Sequence, residues 1–226
     1  MTTRKLEHDI HLWAFEQLQP SLHAPMCSNS EIRRAEQSLN REKAAIRLQS
    51  RQKLRQVLAT YLPESKKKIT FNTLISGKPY LKNNPTIHFS LSHSKDTAII
   101  AVAPYSIGVD IEHPKTLAQP TQLAQKLFTQ EEWLLWQKLS NKAQIQALFS
   151  AWVRKEACIK CFGLRAPSAF KKYPTFFSPY HIRWEQDCSL TTSNPFDYNI
   201  ASSAYFGHLV STQTPDQVQL FFNTDL

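Results

Sequence analysis

The chain is poor in glycine, with 4 in 226 residues, equally poor in cysteine, also 4, and it has no long apolar run. Four glycines leave no dinucleotide-binding fingerprint, and Gly77-Lys78-Pro79 lacks the rest of a Walker loop. The cysteines make no disulfide framework, because Cys158 and Cys161 lie close together while Cys27 and Cys188 stand alone. Nor does Cys158-Ile159-Lys160-Cys161 have the second pair a zinc site needs, so both thiols are expected to pack in a core. The longest apolar stretch, Thr97 to Pro104, is strand-sized against the roughly 20 residues of a bilayer helix. The first residues are too polar for a signal sequence, so a cytoplasmic protein without a membrane partner is expected.

Acidic charge is scarce as well, with 18 Asp+Glu against 27 Lys+Arg, for a formal net charge of +9. That balance suits an anionic partner such as nucleic acid, an acidic protein or a phosphate-bearing small molecule. Eleven of the basic residues fall between Arg33 and Lys68, so the positive face is local. What the chain has in quantity is core material, a hydrophobic fraction of 42%, which folds without staples.

From Ser30 to about Tyr61 no proline or glycine interrupts an approximate helical stripe of Leu39, Ile46, Leu54, Val57, Leu58 and Tyr61, which predicts one long helix. Strand-like runs follow at 69–71, 86–91, 97–102 and 107–112. Helical texture returns at 121–128, 129–139 and 143–162, ending at Gly163, and further strands are expected at 180–184, 198–201, 205–212 and 217–222. A helix followed by a meander thus occurs twice, with the divide near Tyr105.

Three constellations carry chemistry. In Gly108-Val109-Asp110-Ile111-Glu112 the alternation of a strand puts both carboxylates on one face, where they repel each other unless protonated or bridged by a divalent cation. In Trp152-Val153-Arg154-Lys155-Glu156-Ala157-Cys158-Ile159-Lys160, helical spacing puts Trp152, Glu156 and Lys160 on one side, a candidate base beside an amine. Ser90-Leu91-Ser92-His93-Ser94 falls between two strands, where hydroxyls and freed backbone amides of a turn could cradle a phosphate. A serine hydrolase is disfavoured there, since no G-x-S-x-G elbow is present.

In chain order, Gly77-Lys78-Pro79-Tyr80, then His88-Phe89 with Ser90 to Ser94, then Gly108 to Glu112, then Phe128-Thr129-Gln130-Glu131-Glu132, then Trp152 to Lys160, these pieces resemble the 4'-phosphopantetheinyl transferases of the larger, monomeric, surfactin-synthetase-activating type. The resemblance implies an α/β (α+β) fold of two similar helix-plus-meander halves related by a pseudo-two-fold, here 1–105 and 106–226. It implies Mg2+-dependent transfer of the phosphopantetheine arm of coenzyme A to a serine of an acidic acyl or peptidyl carrier protein, releasing 3',5'-ADP, with Mn2+ as a substitute metal. Asp110, Glu112 and Glu132 then look like metal ligands, with Glu131 the alternative to Glu132. Glu156 resembles the base and Lys160 the acid or charge stabiliser at the leaving phosphate. Lys78, Ser92, His93 and Lys155 match contacts to the phosphates of coenzyme A, and Arg47, chosen over Arg41 and Arg51, matches the contact to the 3'-phosphate.

The physical logic agrees, because a serine hydroxyl attacking a diphosphate needs a base, a bridging cation and positive groups where charge builds up. A nucleic-acid-binding protein is the rival reading of the basic helix, and an inactive carrier-binding relative is another. The nucleic-acid reading gives no reason for the paired acids at Asp110 and Glu112 or for the helix bearing Glu156. The reading is a monomeric enzyme with no nucleic-acid partner.

Overall fold

The computed structural model of the chain describes residues 3–63, 69–82, 84–164, 169–172, 196–200, 202, 204–222 and 225–226. The expected strand at 180–184, Lys66 to Lys68, and Cys188 lie outside the described residues. The elements are β1 (Ile10–Phe15), α1 (Asn29–Glu36), α2 (Arg41–Thr60), β2 (Phe71–Thr73), β3 (Pro79–Leu81), β4 (His88–Ser94), β5 (Thr97–Ala103), β6 (Ile107–Glu112), α3 (Pro120–Leu127), α4 (Gln130–Gln137), α5 (Asn141–Phe162), β7 (Phe196–Asn199), β8 (Phe206–Ser211) and β9 (Val218–Phe222). The architecture is mixed α/β, in two compact units. Among the described residues no helix is long and apolar enough to cross a membrane.

The first unit comprises Met1–Ile75, Pro79–Tyr105 and Pro215–Leu226. Its sheet has the order β4-β5-β1-β9, antiparallel except for the parallel β1–β9 pair. Alternation along β1 sends His11, Trp13 and Phe15 to one face. Trp13 and Phe15 join a buried cluster with Ile46, Leu54, Val57 and Leu58 of α2 and with Phe89, Ile100 and Val102 of the sheet. The polar exception is a buried trio, in which Trp13 Nε1 donates to the Tyr61 hydroxyl at 2.9 Å and that hydroxyl lies 2.8 Å from His11 Nδ1. Burial pushes the His11 imidazole below its usual range and outweighs the opposing pull of Asp9.

Three expectations are corrected in this unit. The single helix from Ser30 is two helices, because Ser38 and Asn40 satisfy backbone groups outside a helical path. The first starts at a capping box of Ser28 with Glu31, and the second starts where the Asn40 side chain accepts the Lys43 amide. Ser90 to Ser94 is not a turn but most of β4, paired residue for residue with β5, and the turn falls at Lys95-Asp96. The strand Val218–Phe222, read from sequence with the C-terminal half, pairs with β1.

The second unit comprises Ser76–Lys78 and Ser106–Thr214. Its three-stranded antiparallel sheet, β6-β8-β7, is covered by α5. Ala157, Cys158 and Cys161 of α5 pack with Val210 of β8, so both cysteines are core residues and free thiols as expected. The other side of α5 packs Leu148, Ala151 and Ile159 among Ala124, Leu127, Phe128 and Trp136 of the α3–α4 region. Gly163 ends the helix in the left-handed region, φ 62°, where glycine carries no Cβ penalty.

Candidate active site

The strand β6 and the helix α5 touch backbone to backbone at one place. A Cβ on Gly108 would sit on the Ala157 carbonyl oxygen and the Cys161 amide nitrogen, so only glycine lets the helix lie this close. Gly108, Asp110 and Glu112 share the face of β6 that meets α5. Asp110 is buried, while Glu112 is half-buried and paired with Lys115 three residues on.

From the helix side, Trp152, Glu156 and Lys160 form the partly exposed stripe expected from their spacing. Lys160 Nζ donates to Asp110 Oδ1 at 2.6 Å and to the Val109 carbonyl at 3.1 Å. Burial raises the affinity of the Glu156 carboxyl for a proton, the neighbouring Asp110 charge raises it further, and Lys160 opposes both. Asp110, Glu156 and Lys160 are thus one electrostatic group, two carboxylates and one amine where a strand meets a helix. Such a group holds a proton or a cation readily and can pass a proton to or from a neighbour.

Glu132 stands elsewhere. It is fully buried, its Oε2 accepts the Thr129 amide at 2.8 Å as half of a capping box, and the same oxygen takes Lys155 Nζ at 2.7 Å. The geometry therefore separates it from the carboxylates of β6 in role, as the internal partner of Lys155. Its neighbour Glu131 is exposed in the first turn of α4. Among the described residues no group of three or more His, Cys, Asp or Glu side chains is gathered to hold a metal.

The two lysines expected to meet phosphate are also occupied. Lys155 Nζ donates to the Leu127 carbonyl, the Phe170 carbonyl and Glu132, at 2.9, 2.9 and 2.7 Å, which uses all three ammonium hydrogens. Lys78 Nζ donates to Ser106 Oγ at 2.9 Å, to the Ile107 carbonyl at 3.2 Å and to the Cys161 carbonyl at 2.7 Å. As placed, neither ammonium has a hydrogen left for a ligand, which departs from the role the resemblance implies.

In the first unit, Arg47 is exposed on α2, whereas Arg51 is bonded to Glu31 at 3.4 Å. Ser92 and His93 are consecutive in β4, so their side chains leave opposite faces; Ser92 is buried and His93 half-buried.

Sequence reasoning missed a second buried charge group in the second unit. Asp197 of β7 bonds both the Arg154 guanidinium and His208 Nε2. Arg154 lies within the helix motif, yet nothing in the sequence links it to a carboxylate 43 residues away. Gly108 was also given no role, although a glycine inside a strand is a sign of close backbone approach.

Comparison with known proteins covers this same region. The profile of the 4'-phosphopantetheinyl transferase superfamily matches residues 106–205. The 4'-phosphopantetheinyl transferase HetI of Nostoc sp. is 29% identical over 166 residues, 70% of each chain. The 4'-phosphopantetheinyl transferase psf-1 of Bacillus pumilus is 37% identical over 97 residues, 42% of this chain and 40% of its own. The 4'-phosphopantetheinyl transferase Sfp of Bacillus subtilis is 30% identical over 110 residues, 49% and 48% respectively, so the match spans under half the length of the two Bacillus proteins. The carboxylates of β6 and the charged stripe of α5 fall inside the matched region, so it is across these elements that the chain is similar to the 4'-phosphopantetheinyl transferases.

Proposed function

We propose that the chain transfers the 4'-phosphopantetheine arm of coenzyme A to a serine hydroxyl of an acidic acyl or peptidyl carrier protein and releases 3',5'-ADP. It is read as the larger, surfactin-synthetase-activating type, a monomer whose two halves are related by a pseudo-two-fold. The observation that carries this reading is the Asp110–Glu156–Lys160 group within the matched region.

The residues present fit a divalent cation. Asp110 and Glu112 share a face, and the charge of Asp110 already raises the proton affinity of Glu156, so a cation there would relieve a like-charge repulsion. A bound Mg2+ would supply charge neutralisation at the diphosphate. Mg2+ commonly takes one or two carboxylates and completes its shell with waters and substrate phosphate oxygens, so Asp110 and Glu112 suffice without Glu132.

Glu156 takes the proton from the carrier serine, a role its raised proton affinity suits. Lys160, beside Asp110, stands ready to stabilise charge on the leaving phosphate. Arg47, Ser92 and His93 remain the proposed contacts to coenzyme A, and for Arg47 the support is its exposed position. Three free buried thiols, Cys27, Cys158 and Cys161, suit a reducing cytoplasm.

The test is to incubate the protein with coenzyme A, Mg2+ and a panel of apo carrier proteins and to record intact carrier mass with and without EDTA. A gain of one phosphopantetheine that EDTA blocks is the expected result. No gain on any carrier, together with no binding of coenzyme A, would overturn the reading.

A further inference from the structure

Lys78 belongs to the second unit although the strands on either side of it, β2 and β3, belong to the first. Its ammonium is spent on the junction between the start of β6 and the end of α5, through Ser106 Oγ, the Ile107 carbonyl and the Cys161 carbonyl. The Cys161 carbonyl is one of the last four of α5, which have no partner within the helix and carry the negative end of its dipole. A cation there satisfies both needs. Ser106 completes the joint, since its hydroxyl donates to the same Cys161 carbonyl at 2.6 Å and its own carbonyl accepts the Thr212 amide at 3.1 Å. The turn also closes over Gly163, where an added Cβ would meet Ser76 Oγ at 3.0 Å.

Asp110 lies two residues beyond Gly108 on β6, and Lys160 immediately precedes Cys161 on α5. Whatever fixes Cys161 against Ser106 and Ile107 therefore fixes how Lys160 and Glu156 face Asp110. We propose that Lys78 is a positioning residue: with Ser106 it staples the C-terminal end of α5 to β6 and so sets the register of the Asp110–Glu156–Lys160 group, rather than contacting coenzyme A. This rests on the transferase reading for its effect on turnover, but not for its effect on the helix end.

The test compares Lys78→Met, Ser106→Ala and the double variant with the unaltered chain. In the absence of any ligand, amide hydrogen exchange at residues 159–164 should accelerate in both single variants, and the Kd for Mn2+ should rise. With coenzyme A, Mg2+ and a modifiable carrier, kcat should fall roughly ten- to a hundredfold from misplacement alone, while the Kd of coenzyme A changes by less than about twofold. Because both residues serve one carbonyl, the double variant should lose less than the product of the single losses. Lys78→Arg, which keeps charge and donors, should recover part of kcat.

A lost phosphate contact would instead raise the Kd of coenzyme A about tenfold or more with exchange at 159–164 unchanged, and that result overturns the proposal. Unchanged exchange and Mn2+ affinity in Lys78→Met overturn it too, whatever the turnover. If the unaltered chain modifies no carrier, the transferase reading fails while exchange and Mn2+ affinity still decide the staple.

Discussion

The two units solve the same problem, a sheet covered by helices, with different interiors. The first closes on an apolar cluster with the neutral trio His11, Trp13 and Tyr61 inserted in it, and its charged pair, Arg55 with Glu31, joins its two helices. The second buries charge, in Glu132 with Lys155, in Arg154 with Asp197 and His208, and in Asp110 with Lys160. Buried ion pairs are weak sources of net stability, because desolvation offsets most of the attraction. Their concentration around α5 is better understood as fixing side chains that must stand at exact positions, and this is the region the superfamily profile matches. Within that set, Lys155 and Glu132 are sealed from solvent, whereas Lys160 remains partly exposed. The proposed site thus lies in the partly exposed group, and the sealed pair lies outside it.

The sharpest test of that division is to remove the carboxylates of the group around Lys160. Glu156→Gln should lower carrier modification by about 10² to 10⁴-fold, the usual contribution of a general base, and Asp110→Ala should abolish it. Glu156→Gln should leave the thermal midpoint near that of the unaltered chain, and near-normal turnover in either variant would sink the assignment. The sealed pair should behave in the opposite way. Glu132→Ala leaves Lys155 buried without its carboxylate and should cost about 3–5 kcal/mol in urea unfolding, whereas replacing both partners by apolar residues should recover much of the loss.

A smaller effect separates packing from charge. Gly108→Ala forces a Cβ against two backbone atoms of α5 that have no room to move, and should destabilise the chain by about 1–3 kcal/mol. The smallest effect belongs to the first unit. His11 is held below its ordinary value of 6.5, so the unfolded chain binds a proton there before the folded one does. Its contribution is complete above pH 6.5 and is lost as the pH falls below that value, so unfolding midpoints should drop on acidification below pH 6.5. The slope should flatten in His11→Phe. An unchanged slope would show that burial does not keep the imidazole neutral.

Much of this division was legible in advance. The carboxylate alternation of β6, the stripe of Trp152, Glu156 and Lys160, and the stop at Gly163 follow from periods of 2 and 3.6 and from glycine's tolerance of positive φ, all local properties. The break between α1 and α2 was hidden because helix propensity hardly distinguishes a cap from an interior position when Ser38, Leu39 and Asn40 lie in an otherwise helical pattern. The parallel pairing of β9 with β1 was equally hidden, since residues over two hundred positions apart leave no local trace of their partnership.

The sequence by itself determined which residues share a face and which carry charge, because side-chain direction follows from backbone periodicity over a few residues. Only the tertiary structure decided what those charges do. It spent Glu132 on Lys155, gave Lys78 to the end of α5, and brought Asp110 against Lys160 from 50 residues away. An ammonium has three hydrogens and a carboxylate few lone pairs, so the first partners that packing brings within reach settle each group's role.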